Sequence, residues 1–309
     1  MSSESLSELG KLSEPITKLI DSITCAVSVL YEPTRIRKKA KAEAEAIKTI
    51  AKAKVDALVI SDKNIRQYYL ELEEEILLRE HRKKTNRDLI AGQAAMELMG
   101  KQVDDNPVDK DWIIQFFESA EDVSSEEMQV IWARLLAGEV KRPGTFSKRA
   151  IHALKLMSTR EAQALKALVE YSIKNEMGEF LLPTSYMGEY FKERFGDYAY
   201  RKQGAYLDHL NLITVYNFPA TMVFPIKDNE FSFSLLNRKV TVGLGKPAGD
   251  FKMQTQGQKF TSFGKELALL VTGDYDEDYL KALCTRIQEV LKERGFPSTA
   301  IEINQEPTV

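Results

Sequence analysis

The stretch EEMQVIWARLLAGEVKRPGTFSKR, residues 126–149, decides how the middle of this chain folds. Met128, Ile131, Trp132, Leu135 and Leu136 fall on one side of a 3.6-residue helix, which predicts a single buried stripe. Gly138 allows close approach of a neighbour, and Pro143-Gly144 cannot continue the helix, so the chain must turn there. Phe146 stands as a hydrophobic staple ahead of Ser147, which can cap the next helix, KRAIHALKLM. The whole reads as a helix-turn-helix clamp with Trp132, Arg134, Gly138, Glu139, Pro143, Gly144, Phe146 and Ser147 as its structural signature. Arg134 and Glu139 read as a local ion-pair network rather than a catalytic pair. The cations Lys141, Arg142, Lys148 and Arg149 leave two readings open, a solvated loop or a contact for an acidic partner.

Outward from the clamp, Ser124 with Glu127 and Ser158 with Glu161 carry capping-box spacing, and DKDWIIQFFESA places Trp112, Ile113, Phe116 and Phe117 on a buried face. This gives a helical domain over 111–178, preceded by a linker over 101–110 that contains Asn106-Pro107. Before the linker, residues 1–100 read as an N-terminal arm. Its first element, ITKLIDSITCAVSVL, is amphipathic, with Ile16, Leu19, Ile20, Ile23, Ala26, Val27 and Leu30 on one face. After Pro33, small or aliphatic residues recur at Ile36, Ala40, Ala44, Ile47, Ala51, Val55 and Leu58, an eleven-residue repeat suited to a nearly straight helix assembly. The helical pattern then runs on to about Gly100.

Charge along the arm is segregated. Eight basic residues lie between Arg35 and Lys54 against Glu43 and Glu45, and five acids lie between Glu71 and Glu80 against Arg79. The cluster Arg35, Arg37, Lys38, Lys39 beside the apolar helix reads as a solvated face, a contact with an anionic membrane, or packing on a neighbouring subunit. The arm is expected to form a homo-oligomer, with the apolar helix in an oligomer core rather than on lipid.

Downstream, residues 179–309 read as a winged-helix-like α+β domain. Helical YMGEYFKERF and YAYRKQGAYLDHLNL precede strands ITVYNF, FSFSLL and KVTVGL; then come a helix in TSFGKELALLV, another in YDEDYLKALCTRIQEVLKERG, and a final strand AIEIN. The expected fold is therefore mainly α with a smaller α+β part: a long helical arm, a helical middle unit and a winged-helix-like C-terminal unit.

Composition narrows the chemistry. At 309 residues and 43% hydrophobic content the chain builds more than one core, and its formal net charge of −3 supplies no global field toward nucleic acid or lipid. Cys25 and Cys284 form neither a CxxC nor a Cys/His spacing, so a reducing cytoplasm is expected, with the inner-membrane surface as the alternative location. The N-terminus lacks signal-peptide character and no run is long enough for a membrane span. His81, His152 and His209 have no metal-ligand spacing, Gly245-Lys246 followed by Pro247 is a turn rather than a phosphate loop, and Asp274, Asp276, Glu277 and Asp278 favour a helix N-terminus. No catalytic residue, metal ligand or cofactor site is expected. The candidate recognition helix offers only Arg201 and Lys202, which disfavours nucleic acid.

Residues Asp111–Leu165, with their Trp-Ala-x-Leu-Leu-Ala-Gly-Glu core and Pro-Gly-x-Phe-Ser turn, resemble a bacterial family known as domain of unknown function 2806. LYEPTRIRKKAKAEAEAIK is similar to that family's N-terminal arm, and the C-terminal third fits in outline. The leucine-leucine-alanine helix and Phe-Ser turn are more distantly similar to the abortive-infection alpha family. That second resemblance implies a role in phage defence and transfers no catalytic residue. The expected function is thus a non-enzymatic assembly or interaction protein with an unknown protein partner; the alternative is a nucleic-acid-binding winged-helix regulator.

Overall fold

In a computed structural model, residues 14–30, 62–195, 208, 210–245, 250–296 and 298–305 are described. The chain divides into two compact units, Met1–Ile151 and His152–Val309. The fold is mainly helical, with a smaller strand-containing region.

The first unit contains α1 (Glu14–Leu30), α2 (Asp62–Leu98), α3 (Lys110–Ala120) and α4 (Glu126–Lys141). Its core is the aromatic set read from the sequence: Trp112 stacks on Phe116 at 5.3 Å, and Phe116 meets Trp132 at 5.3 Å. The two described helices of the expected arm pack into this unit: α1 lies against α3 and α4, and α2 lies against α4. Ile90, Ala94 and Leu98, spaced by four, give α2 a buried face. Glu121 fastens α2 to the end of α3, its carboxylate lying 2.5 Å from Lys83 Nζ and 3.2 Å from Arg87 Nη1.

Helix starts follow the capping chemistry with one correction. Asp109 accepts from Trp112 N–H, and Ser158 with Glu161 forms the reciprocal box at the start of α6 (Thr159–Glu170). Ser124 and Glu127 do not form theirs. Ser125 takes the N-cap position of α4, without a side-chain capping bond, while the Ser124 hydroxyl accepts from Asn86 Nδ2 of α2. A tertiary partner has taken the hydroxyl that local spacing had assigned to the cap.

After α5 (Lys148–Leu156) and α6, the second unit runs β1 (Ile173–Asn175), β2 (Phe180–Leu181), α7 (Thr184–Phe195), β3 (Ile213–Phe224), β4 (Glu230–Leu235), β5 (Arg238–Leu244), β6 (Phe251–Phe260), α8 (Ser262–Ala268), α9 (Glu277–Glu293) and β7 (Ser298–Gln305). These strands form one seven-stranded antiparallel sheet in the order β3-β6-β2-β1-β4-β5-β7. The winged-helix-like expectation is corrected by this sheet: the four expected strands are β3, β4, β5 and β7, but β6 pairs along β3, and the short β1 and β2 occupy the centre. FKMQTQGQKF carries only a weak strand signal, since Phe251 and Met253 alternate with Lys252 and Gln254 but no further apolar side chain follows until Phe260. Thr261 caps α8 by accepting from Gly264 N–H at 3.1 Å. A Cβ on Gly264 would stand 1.9 Å from the Leu212 carbonyl oxygen, which explains the Thr-x-x-Gly entry. Most of the candidate recognition helix, including Arg201 and Lys202, lies outside the described residues.

Candidate functional site

The clamp resolves into a turn held by one carboxylate. Met128, Trp132, Leu135, Leu136 and Val140 are buried along α4, with Ile131 half-buried beside them. Arg142 N–H donates to the Gly138 carbonyl at 3.0 Å, Thr145 N–H and Oγ1 both donate to the Arg142 carbonyl, and Gly144 takes φ +86°, a left-handed conformation that favours glycine. Glu139, only 1% exposed, closes the turn from inside: one oxygen accepts from Gly144 N–H at 2.7 Å and the other from Phe146 N–H at 2.8 Å. Each is a charge-assisted bond, and together they satisfy the buried carboxylate. A Cβ on Gly138 would lie 2.6 Å from Phe146 Cε2, so the glycine makes room for the buried ring. Ser147 Oγ accepts from Ala150 N–H at 3.3 Å, the expected cap.

Arg134 and Glu139 therefore serve different neighbours. Arg134 Nε donates to Glu97 Oε1 at 3.3 Å, tying α4 to α2, whereas both Glu139 oxygens face turn amides. Burial makes Glu139 dependent on hydrogen-bond donors, and the two turn amides supply them.

The same fixed backbone carries the cations. The Lys141 carbonyl accepts from Asp104 N–H at 2.8 Å, bringing the 101–109 segment onto the turn. Burial and then the charges of Lys101 and Arg142 push the Lys141 ammonium below its ordinary range. Lys148 differs, since Asp109 and Asp111 lie 3.5 and 3.7 Å from its Nζ. Lys101, Lys141, Arg142 and Arg149 make no ion pair with the described residues. Of the remaining sequence candidates, Arg35, Arg37, Lys38 and Lys39 lie outside the described residues.

A second polar cluster had no sequence signal beyond its aspartate. Asp276 Oδ1 accepts from Tyr279 N–H at 3.0 Å and caps α9, while Oδ2 accepts from Tyr171 and Tyr190 hydroxyls at 3.3 Å each and faces Arg194 Nη2 at 3.5 Å. Burial raises the Asp276 carboxyl, but the Tyr279 amide, the Tyr190 hydroxyl, Arg194 and the Tyr171 hydroxyl outweigh it and hold the group below its ordinary value. Burial followed by the Asp276 charge pushes Tyr190 up to about 12, so its hydroxyl stays protonated near neutrality. Cys284 is pushed by burial to about 11 and is a thiol there as well. Among the described residues no group of three or more His, Cys, Asp or Glu is placed to hold a metal ion, and no helix is long and apolar enough to cross a membrane.

No curated protein and no solved structure matches the chain. The family described as Protein of unknown function (DUF2806) matches residues 72–284, beginning within α2 and ending within α9. The match passes well beyond the Asp111–Leu165 signature on its C-terminal side and includes the locked turn, most of the sheet and the Asp276 cluster. Spanning more than half of the sequence, it establishes that this chain belongs to the DUF2806 family.

Proposed function

We propose that the chain is a non-enzymatic interaction protein whose locked turn presents Lys101, Lys141 and Arg142 to an acidic segment of a partner protein. The observation that carries this reading is the placement of half-buried Lys141 on a backbone fixed through Glu139, where burial and then the like charges of Lys101 and Arg142 hold its ammonium below its ordinary range. A partner carboxylate would relieve that repulsion, and the rigid turn would lose little conformational freedom on binding. Few cations gather here and the chain is net acidic, which favours a protein over nucleic acid.

Self-assembly through the N-terminal helices belongs to the same proposal, with the cytoplasm as its setting. Ile16 and Leu19 of α1 are buried in the first unit, which supports a packing role for that end of α1 over a lipid contact. The antiphage setting rests on the similarity of the leucine-leucine-alanine helix to the abortive-infection alpha family, and phage challenge with and without the chain tests it.

The docking reading is tested by fluorescence anisotropy at low ionic strength with a poly-glutamate peptide and a mixed-sequence single-stranded DNA of equal length. Binding to the peptide should weaken roughly tenfold in Lys141→Glu/Arg142→Glu, as expected for loss of complementary charge. Equal binding by the parent and the variant would remove the proposal. Preference for DNA with a steep log-linear salt dependence would favour the nucleic-acid alternative.

A further inference from the structure

We propose that the solvent face of α2 pairs antiparallel with the same face of a second copy of this chain, about a twofold axis at Leu78. The proposal rests on the self-assembly reading and deepens it by naming the face, the direction and the register. Helix α2 has one face committed to its own unit, with Asn86, Ile90, Ala94 and Leu98 buried. At 100° per residue, Leu78, Leu89 and Met96 lie together on the other side, and they are 63%, 48% and 62% exposed. Among the described residues this apolar stripe, opposite an already packed face, is left uncovered.

Charge identifies what covers it. With Leu78 as centre, Glu74 stands four residues before it and Arg82 four after; Glu71 and Thr85 stand seven before and after, and Gln67 and Leu89 eleven. Steps of four, three and four in both directions keep these residues within about 40° of Leu78, one continuous seam. All are exposed. The seam is self-complementary: turned end for end, it sets Leu78 on Leu78, Glu74 on Arg82, Glu71 on Thr85, and Leu89 on the stem of Gln67. A parallel pair would oppose Glu74 to Glu74 and Arg82 to Arg82, which is repulsive. An isologous contact of this kind needs one patch to match itself under a twofold rotation, as this one does.

The groups involved are available. Glu74 forms no ion pair with the described residues. Arg82 lies 3.3 Å from Asp122, but both side chains are about half-exposed, and such a pair contributes at most about 1 kcal/mol, so Arg82 can be shared. A single helix-on-helix contact with two apolar residues per copy is small, which makes the dimer weak and concentration-dependent.

The test is sedimentation equilibrium of the full chain at low salt, with helicity followed by circular dichroism. The parent should show a monomer–dimer equilibrium, and Leu78→Glu should weaken it at least about tenfold without loss of helix, since Leu78 is exposed. Glu74→Lys and Arg82→Glu should each weaken it several-fold, whereas the double variant should return to within about twofold of the parent, because each new charge again meets its opposite in the antiparallel register. A monomer at every concentration would overturn both this proposal and the self-assembly reading. An oligomer indifferent to Leu78→Glu would overturn the face while leaving assembly intact, and charge reversals that do not rescue each other would overturn the antiparallel register.

Discussion

Two carboxylates, one in each unit, organise a helix end, and they do so over very different reaches. Glu139 accepts from amides five and seven residues away, inside the loop that follows its own helix. Asp276 caps the helix that follows it, but its other oxygen gathers hydroxyls from residues 105 and 86 positions distant. The first device is written in one stretch of sequence; the second exists only after the second unit has folded. A short-range lock fixes a turn as soon as the helix forms, whereas a long-range one reports on tertiary structure, and perturbing each should read out differently.

The sharpest way to break the contrast is Glu139→Ala. It removes two charge-assisted bonds and leaves the buried Phe146 amide unsatisfied, so the loss should be roughly 3–5 kcal/mol. Glu139→Gln should recover part of it, since one amide oxygen can still accept while the NH₂ opposes the second donor. Urea unfolding monitored by tryptophan fluorescence reads this, because Trp112 and Trp132 both lie in the first unit. A loss below about 1 kcal/mol would show that the turn holds itself without the carboxylate. Gly138→Ala should cost less, roughly 1–2 kcal/mol: the added methyl meets a buried ring edge, while alanine recovers some helix propensity.

The two devices also mark what could be read in advance. Gly138, Pro143-Gly144 and Phe146 announce a close approach and a turn through residue chemistry that acts within a few positions, and the same holds for the caps at Ser147 and Ser158. Glu139 belongs to the same signature, but the turn amides it binds follow only from its burial, which one stretch of sequence does not give. The seven-stranded sheet was legible only at β3, β4, β5 and β7. β6 alternates Phe251, Met253 and Thr255 with Lys252, Gln254 and Gln256 but carries few apolar residues, and β1 and β2 are three and two residues long, defined by pairing partners rather than by pattern. Nothing local to Tyr171 or Tyr190 points to Asp276.

In the second unit, Asp276→Asn keeps a good cap but removes the charge that Arg194 and the hydroxyls face, and should cost about 1 kcal/mol at neutral pH. The carboxyl sits below its ordinary 3.8 in the folded chain. Its contribution is therefore complete above that unfolded value and is lost as pH falls through the lower folded value. Urea midpoints of the parent and the variant should stay a constant distance apart above about pH 5 and converge below pH 3.8. Parallel curves throughout would show that the charge is not used.

The smallest effect separates a network from a coincidence of neighbours. Both tyrosine hydroxyls reach the same Oδ2 at 3.3 Å, longer than the usual 2.7–2.8 Å for such bonds, so each alone is weak. Tyr190→Phe should cost about 0.5 kcal/mol, since its ring keeps its packing 5.5 Å from Tyr279 and only the hydroxyl is lost. Freed of its competitor, the Tyr171 hydroxyl can shorten its bond, and the same argument applies to Tyr171→Phe. The double variant should then lose more than the two singles added together, a coupling that a double-mutant cycle isolates. The Asp276 carboxyl, followed by carbon NMR, should titrate higher in each single variant and highest in the double, because hydroxyl donation to its charged form is part of what holds it down. Strict additivity with an unmoved titration would mean that the two rings pack beside Asp276 without acting on it, and that the long-range device reduces to a local cap like those elsewhere in the chain.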